Sequence, residues 1–310
     1  MRNIFIINPC AGQGKGLDKL KEDILKAAKK TDTDVELYYT NCIGDAEVYA
    51  RKVAQEGEEV RFFACGGDGT LNEVVNGVYG LENAQVGVVP IGTGNDYIRN
   101  YGTSKDFMNI KAQLNGEARK VDLIEYSGLM DGKEQTRYCA NMINIGFDCN
   151  VVDKTAEMKK KPLVSGSMAY LLSVLAILVE KKGANLRVTV DGKEIHNGRN
   201  LLCAVANGSY CGGGVYSSPQ ANTDDGYMDM NVILNMSRLK FIKIFPSYKK
   251  GTHFQVQGID KMLQALPCKE ATIEPLDGQM RLCSDGEIVT AGPVTLKIRE
   301  RVMNFIVPQK

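Results

Sequence analysis

Along the first third of the chain, short apolar runs alternate with longer stretches whose apolar residues recur at helical spacing. The runs at 2–7, 34–39, 60–65 and 86–89 read as strands, and 17–30, 45–56 and 70–79 read as helices. This βαβαβαβ order predicts a parallel sheet with helices on both faces. Beyond about residue 120 the pattern changes. Short β-rich runs at 119–126, 138–145, 185–191, 200–206, 228–234, 270–275, 280–284 and 294–299 are set apart by turn signals such as Asp191-Gly192 and Asp277-Gly278. They predict an antiparallel β-sandwich interrupted by helices near 165–181 and 237–249. The expected fold is therefore α/β + β. A doubly wound α/β nucleotide-binding domain covers 1–120, and an antiparallel β-sandwich covers 121–300. A last strand at 302–307 is open to either domain.

Composition narrows the function classes. A net charge of +1 over 310 residues gives no electrostatic footprint for nucleic acid. Nine cysteines without a C-x-x-C pair argue against zinc and thioredoxin-type sites, and point to reduced thiols in a cytoplasmic protein. Two histidines leave little room for chemistry built on histidine clusters. The opening apolar run is too short for a signal peptide and reads as the first strand. The run 163–179 is broken by Ser165, Gly166, Ser167 and Ser173, so a buried or interface-facing helix is expected there and no membrane span.

Candidate chemistry lies where strands end. Gly66-Gly67-Asp68-Gly69-Thr70 follows a strand and opens a helix. Glycines let backbone amides approach phosphate oxygens, and a helix N-terminus adds N–H groups and a favourable dipole. Asp68 sits where a cradled phosphate or its metal ion would lie. The other strands run into Asn8–Gly16, Thr40–Asp45 and Pro90–Asp96, and in a parallel sheet all four loops share one edge. In the last of these, Asn95 or Asp96 is expected to cap the helix that follows. Asp224-Asp225-Gly226 reads either as a hairpin turn or as a hard-cation site. Asp285-Gly286-Glu287 reads either as a hairpin turn or as the home of a general base.

The glycine-acid loop with Leu71-Asn72-Glu73, followed by Gly92-Thr93-Gly94-Asn95-Asp96, resembles the diacylglycerol kinase and sphingosine kinase family, above all its soluble bacterial lipid kinases. Asn207-Gly208, Gly212-Gly213-Gly214, Ser218-Pro219, Ala221, Asp224-Asp225-Gly226 and Asp285-Gly286-Glu287 occur in that family's order, so the likeness spans most of the chain. It implies an active site in a cleft between an ATP-binding domain and a β-sandwich. It implies ATP contacts at Asn8, Pro9, Cys10, Ala11, Gly12, Thr40, Gly66, Gly67, Asp68, Gly69, Thr70, Leu71 and Thr93. It further implies a structural Mg2+ on Asn222, Asp225 and Tyr227, and a catalytic base at Asp285 with Glu287 as partner or replacement. Ala11 stands where the family often has serine, which removes one hydroxyl donor.

The function these features predict is transfer of the ATP γ-phosphate to a lipid hydroxyl, most simply from ATP to diacylglycerol, with Asp68 organising Mg2+ or its waters. The lipid partner implies peripheral association with a membrane. Lys159-Lys160-Lys161 before the apolar run 163–179 read either as a membrane-docking element or as the basic start of a core helix. Related bacterial enzymes suggest a homodimer. The rival readings are an NAD kinase, which shares the glycine-acid loop, and a nucleotide-binding regulator without catalysis. Gly12-Gln13-Gly14-Lys15-Gly16 lacks the G-x-G-x-x-G spacing of a dinucleotide oxidoreductase.

Overall fold

A computed structural model of the protein describes residues 1–146 and 183–309. The lysine run 159–161, the apolar run 163–179 and the helix expected near 165–181 lie outside the described residues. The chain divides into two compact units, one of Met1–Leu123 with Glu300–Lys310 and one of Ile124–Arg299.

The first unit runs β1 (Arg2–Ile7), α1 (Leu17–Thr31), β2 (Glu36–Tyr39), α2 (Asp45–Ala54), β3 (Val60–Gly66), α3 (Asp68–Val78) and β4 (Ala84–Pro90), followed by the short helices α4 (Ser104–Phe107) and α5 (Ile110–Leu114). β1 pairs in parallel with β2 and β3, and β3 with β4. β1 and β3 are buried almost throughout, as strands covered on both faces must be. Phe5, Ile7, Phe63 and Cys65 pack with Leu20, Ile24 and Ala27 of α1 and with Ile110 and Leu114 of α5. α1 presents Leu20, Ile24, Ala27 and Ala28 on one stripe, and closes at Asp32, left-handed at φ 50°, whose N–H returns to the Ala28 carbonyl.

The runs read at 294–299 and 302–307 form a single strand, β14 (Glu287–Val307). Its end lies parallel to β4, with Asn304 opposite Gln85 and Phe305 opposite Val86. Phe305 is anchored there edge-on against Tyr97, with ring centroids 4.9 Å apart. The strand order of this unit is therefore β2-β1-β3-β4-β14.

In the second unit, the run read at 138–145 is two strands, β6 (Lys133–Cys139) and β7 (Met142–Gly146), parted at Ala140-Asn141. With β5 (Glu117–Met130), β8 (Ala184–Val190), β9 (Lys193–Ala206), β10 (Met228–Leu234), β11 (Leu263–Cys268), β12 (Glu270–Pro275) and β13 (Met280–Ser284) they build an antiparallel assembly. Pairing runs β9-β7-β13-β14-β12-β8 and back to β9, so the two long strands carry the pairing from one sheet into the other. β10 and β11 extend the sheet beyond β9. Ile143, Ile145, Val188, Val205, Met230, Ile273, Leu282 and Leu296 fill the interior. The helix expected near 237–249 is α6 (Arg238–Lys249), which opens on Ser237, whose hydroxyl accepts the Lys240 N–H.

Candidate active site

In the first unit the loops after β1, β3 and β4 are tied together at the carboxyl ends of the strands. Asn8 donates from Nδ2 to the Thr70 hydroxyl at 3.2 Å, and accepts the Cys10 N–H at its own Oδ1 at 2.9 Å. This fixes the turn Pro9, Cys10, Ala11 and Gly12 against the start of α3. The Thr40 N–H reaches the Ile7 carbonyl at 3.0 Å, which brings the end of β2 to the same edge. Gly92 N–H donates to the Gly66 carbonyl at 2.9 Å. A Cβ on Gly92 would stand 2.7 Å from the Gly67 nitrogen, so only glycine permits this approach.

The helix begins earlier than read, at Asp68, with Gly67 as its N-cap and no side chain capping it. Asp68, Gly69 and Thr70 thus form its first turn, and Leu71 is buried behind them. An N-terminus of this kind, walled by glycine, suits an anion. Asp68 itself turns to the neighbouring loop. Its Oδ1 accepts the Asp96 N–H at 2.9 Å and the Tyr97 N–H at 3.4 Å. The expectation that Asn95 or Asp96 caps the helical turn after β4 is corrected here. That turn, Tyr97–Asn100, receives no cap from Asp96 and is capped by Asp68 across the loop. Asn95, left-handed at φ 54°, bonds instead to the Gly92 carbonyl at 2.8 Å, and Asp96 pairs with Arg99 at 3.3 Å. Thr93 is exposed at the loop tip.

In the second unit, Asp285-Gly286 is a two-residue turn joining β13 to β14, with φ 48° and 94° and Ser284 opposite Glu287. The Asp285 side chain is buried and densely held. Oδ1 accepts the N–H groups of Asn141 at 3.1 Å and Met142 at 3.0 Å and the Cys139 thiol at 3.1 Å, while Oδ2 accepts the Ala140 N–H at 2.9 Å. Burial, and then the Asp285 charge, raise the Cys139 thiol well above its ordinary range, so it stays a donor. Glu287 is exposed.

Asn222, Asp225 and Tyr227 are all exposed on the turn that leads into β10. Asp225 Oδ1 accepts the Tyr227 N–H at 3.0 Å, an arrangement a plain turn also makes. Asp229, not singled out in the sequence, is buried at the start of β10. Burial, and then the Asp225 charge, push its carboxyl up to about 6. A buried carboxylate pushed up by a neighbouring one suits a place near a hard cation. Among the described residues no three His, Cys, Asp or Glu side chains gather to hold a metal, so a cation here would depend on carbonyl oxygens as well.

A second feature of this unit escaped the sequence. Beneath α6 lies a narrow apolar pocket lined by Leu202, Ile233, Phe241, Phe245, Tyr248 and Leu263, with His253 in its wall. His253 is 1% exposed and neither ring nitrogen has a hydrogen-bond partner among the described residues. Burial pushes its imidazole down to about 4, which keeps it neutral. The histidine falls between Tyr248 and strand β11, and no local spacing marks it.

Residues 2–126 match the diacylglycerol kinase catalytic domain, and residues 141–307 match the YegS C-terminal NAD kinase beta sandwich-like domain. A diacylglycerol kinase of Staphylococcus aureus (strain bovine RF122 / ET3-1) is 30% identical over 251 residues, covering 80% of this chain and 76% of the relative. A diacylglycerol kinase of Bacillus subtilis (strain 168) is 29% identical over 259 residues, covering 82% of this chain and 81% of the relative. A crystal structure of a diacylglycerol kinase from Bacillus anthracis str. Sterne superposes with a TM-score of 0.72 at 22% identity, covering 99% of this chain and 96% of that one. Among the described residues no helix is long and apolar enough to cross a membrane.

Proposed function

The chain belongs to the diacylglycerol kinase family of lipid kinases, and on that premise we propose that it transfers the γ-phosphate of ATP to the hydroxyl of diacylglycerol, yielding phosphatidic acid and ADP. The observation that carries this reading is the uncapped N-terminus of α3, opening at Gly67-Asp68 and braced by the loops after β1 and β4.

Phosphoryl transfer asks a protein for positioning and charge compensation more than for covalent chemistry. The backbone N–H groups of the first turn of α3 bind phosphate oxygens, and the loops around Asn8 to Gly12, Thr40 and Thr93 complete the nucleotide site. When bound, Mg2+ would supply neutralisation of charge on the transferring phosphate. Asp68 would hold that cation or its waters, while its Oδ1 keeps the loop after β4 in place. Asn222, Asp225 and Tyr227 would hold a second, structural Mg2+ outside the reaction, through carbonyl oxygens beside the Asp225 carboxylate. The acceptor oxygen attacks the γ-phosphorus as the bond to the β-phosphate oxygen breaks. The hydroxyl proton passes to a carboxylate of the Asp285-Gly286-Glu287 turn, with Asp285 preferred and Glu287 as its partner or replacement.

The pocket beneath α6 supports an apolar acceptor, since its lining offers one neutral imidazole among aliphatic and aromatic side chains. Incubation with Mg-ATP and diacylglycerol in mixed micelles tests the reading. Labelled phosphatidic acid is the expected product, and absence of label from diacylglycerol under conditions where ATP binds would refute this acceptor.

A further inference from the structure

We infer that the outer face of α6 is a docking surface for an anionic membrane. The helix uses one face as the roof of the apolar pocket, through Phe241, Ile244, Phe245 and Tyr248. At 3.6 residues per turn, Leu239, Ile242, Lys243 and Pro246 fall on the opposite face. Leu239 is 76% exposed and Ile242 50% exposed, the two most exposed large apolar side chains described in the second unit. The helix is therefore apolar on both sides, and the outer side has no cover among the described residues.

Charge names the occupant. No acidic residue occurs from Ser237 to Gly251. Lys240 and Lys243 flank the two aliphatic side chains within one turn, Lys249 and Lys250 follow at the end of the helix, and all four are exposed. Long lysine stems lie along an apolar surface while their ammonium groups reach the headgroup level. Two aliphatics flanked by lysines, on a helix that ends in two more, suit an interface where acyl chains lie below negative headgroups. An acidic protein surface would satisfy the lysines and leave Leu239 and Ile242 against polar groups.

The test is flotation of the full chain with vesicles of phosphatidylcholine alone and of phosphatidylcholine mixed with phosphatidylglycerol. The wild type should float with the mixed vesicles only, and added salt should weaken that binding. Each lysine near an anionic surface is worth about a fivefold gain in affinity, so Lys240→Gln with Lys243→Gln should lower binding roughly 30-fold. Leu239→Ser with Ile242→Ser should lower it at least about tenfold. Both pairs are exposed, so melting temperatures should match the wild type. Equal flotation of variants and wild type would overturn the inference, as would equal binding to neutral vesicles. Self-association of the wild type that both variants abolish, with no vesicle binding, would assign the face to a second copy and overturn it equally. Phosphoryl transfer to a lipid in detergent micelles should be retained by both variants. Vesicle binding without any transfer would count against the proposed kinase reaction and leave the docking surface standing.

Discussion

Asp68 Oδ1 accepts the backbone N–H of Asp96 at 2.9 Å, so the first residue of α3 also closes the loop after β4. The two roles separate by substitution. Asp68→Asn keeps an oxygen for the Asp96 N–H and loses the charge. Turnover should fall about 100-fold or more while stability changes by less than about 1 kcal/mol. Asp68→Ala loses both and should also lower the melting temperature. Steady-state kinetics with thermal melting on the two variants checks this, and near-normal turnover in Asp68→Asn would remove the carboxylate from the reaction.

Gly92→Ala places a methyl group 2.7 Å from the Gly67 nitrogen, a backbone atom that cannot swing aside. A cost of about 1–3 kcal/mol is expected, together with a higher KM for ATP as the loop is pushed from the start of α3. Gly80→Ala is the control. Gly80 sits at φ 81° with nothing within 4 Å of its added Cβ, so it should lose up to about 1 kcal/mol and leave the KM for ATP alone.

At the turn between β13 and β14 the two carboxylates predict different outcomes. Asp285→Asn sets an amide NH2 against donors that now meet an oxygen, and should cost about 1–3 kcal/mol as well as turnover. Glu287→Gln is exposed and should stay within about 0.5 kcal/mol of the wild type. If Asp285 takes the proton, its asparagine variant loses about 10²–10⁴-fold in turnover at a temperature where it is still folded. A loss of that size in Glu287→Gln alone would move the base to Glu287.

His253 links the pocket to pH. Its folded-state value of about 4 lies below the ordinary 6.5, so above pH 6.5 the ring is neutral in both states and contributes no pH dependence. As pH falls from 6.5 towards 4 the unfolded chain takes up a proton that the folded chain refuses, and stability is lost through that window. His253→Phe removes the titration and two buried ring nitrogens without a hydrogen-bond partner among the described residues. Its melting temperature should equal or exceed that of the wild type at pH 7 and show a weaker decline below pH 6.5. The KM for a lipid acceptor should rise while the KM for ATP holds.

Much of the first unit was legible because each element announces itself locally. Ile4 to Ile7 and Phe62 to Cys65 are unbroken apolar runs, and glycines mark the loop that ends β3. What could not be read depends on distant partners. The donors to Asp285 come from residues 139–142, more than a hundred positions away. The burial of His253 arises only when α6 and β11 close over it. β11 escapes the pattern because Pro267 and polar Gln264 interrupt its apolar run, and β14 reads as two strands because Glu300 and Arg301 separate its apolar ends. Arg301, left-handed at φ 53°, gives its N–H to buried Asp122, which holds the strand through that break.

The most direct test of the central claim is transfer of labelled γ-phosphate from Mg-ATP to a panel of hydroxylated lipids in mixed micelles, with NAD as a parallel soluble acceptor. The lipid-kinase account predicts label in a lipid, diacylglycerol first, none in NAD, and loss of the signal in Asp68→Asn. Label in NAD alone, or label in neither while ATP binds, would contradict it.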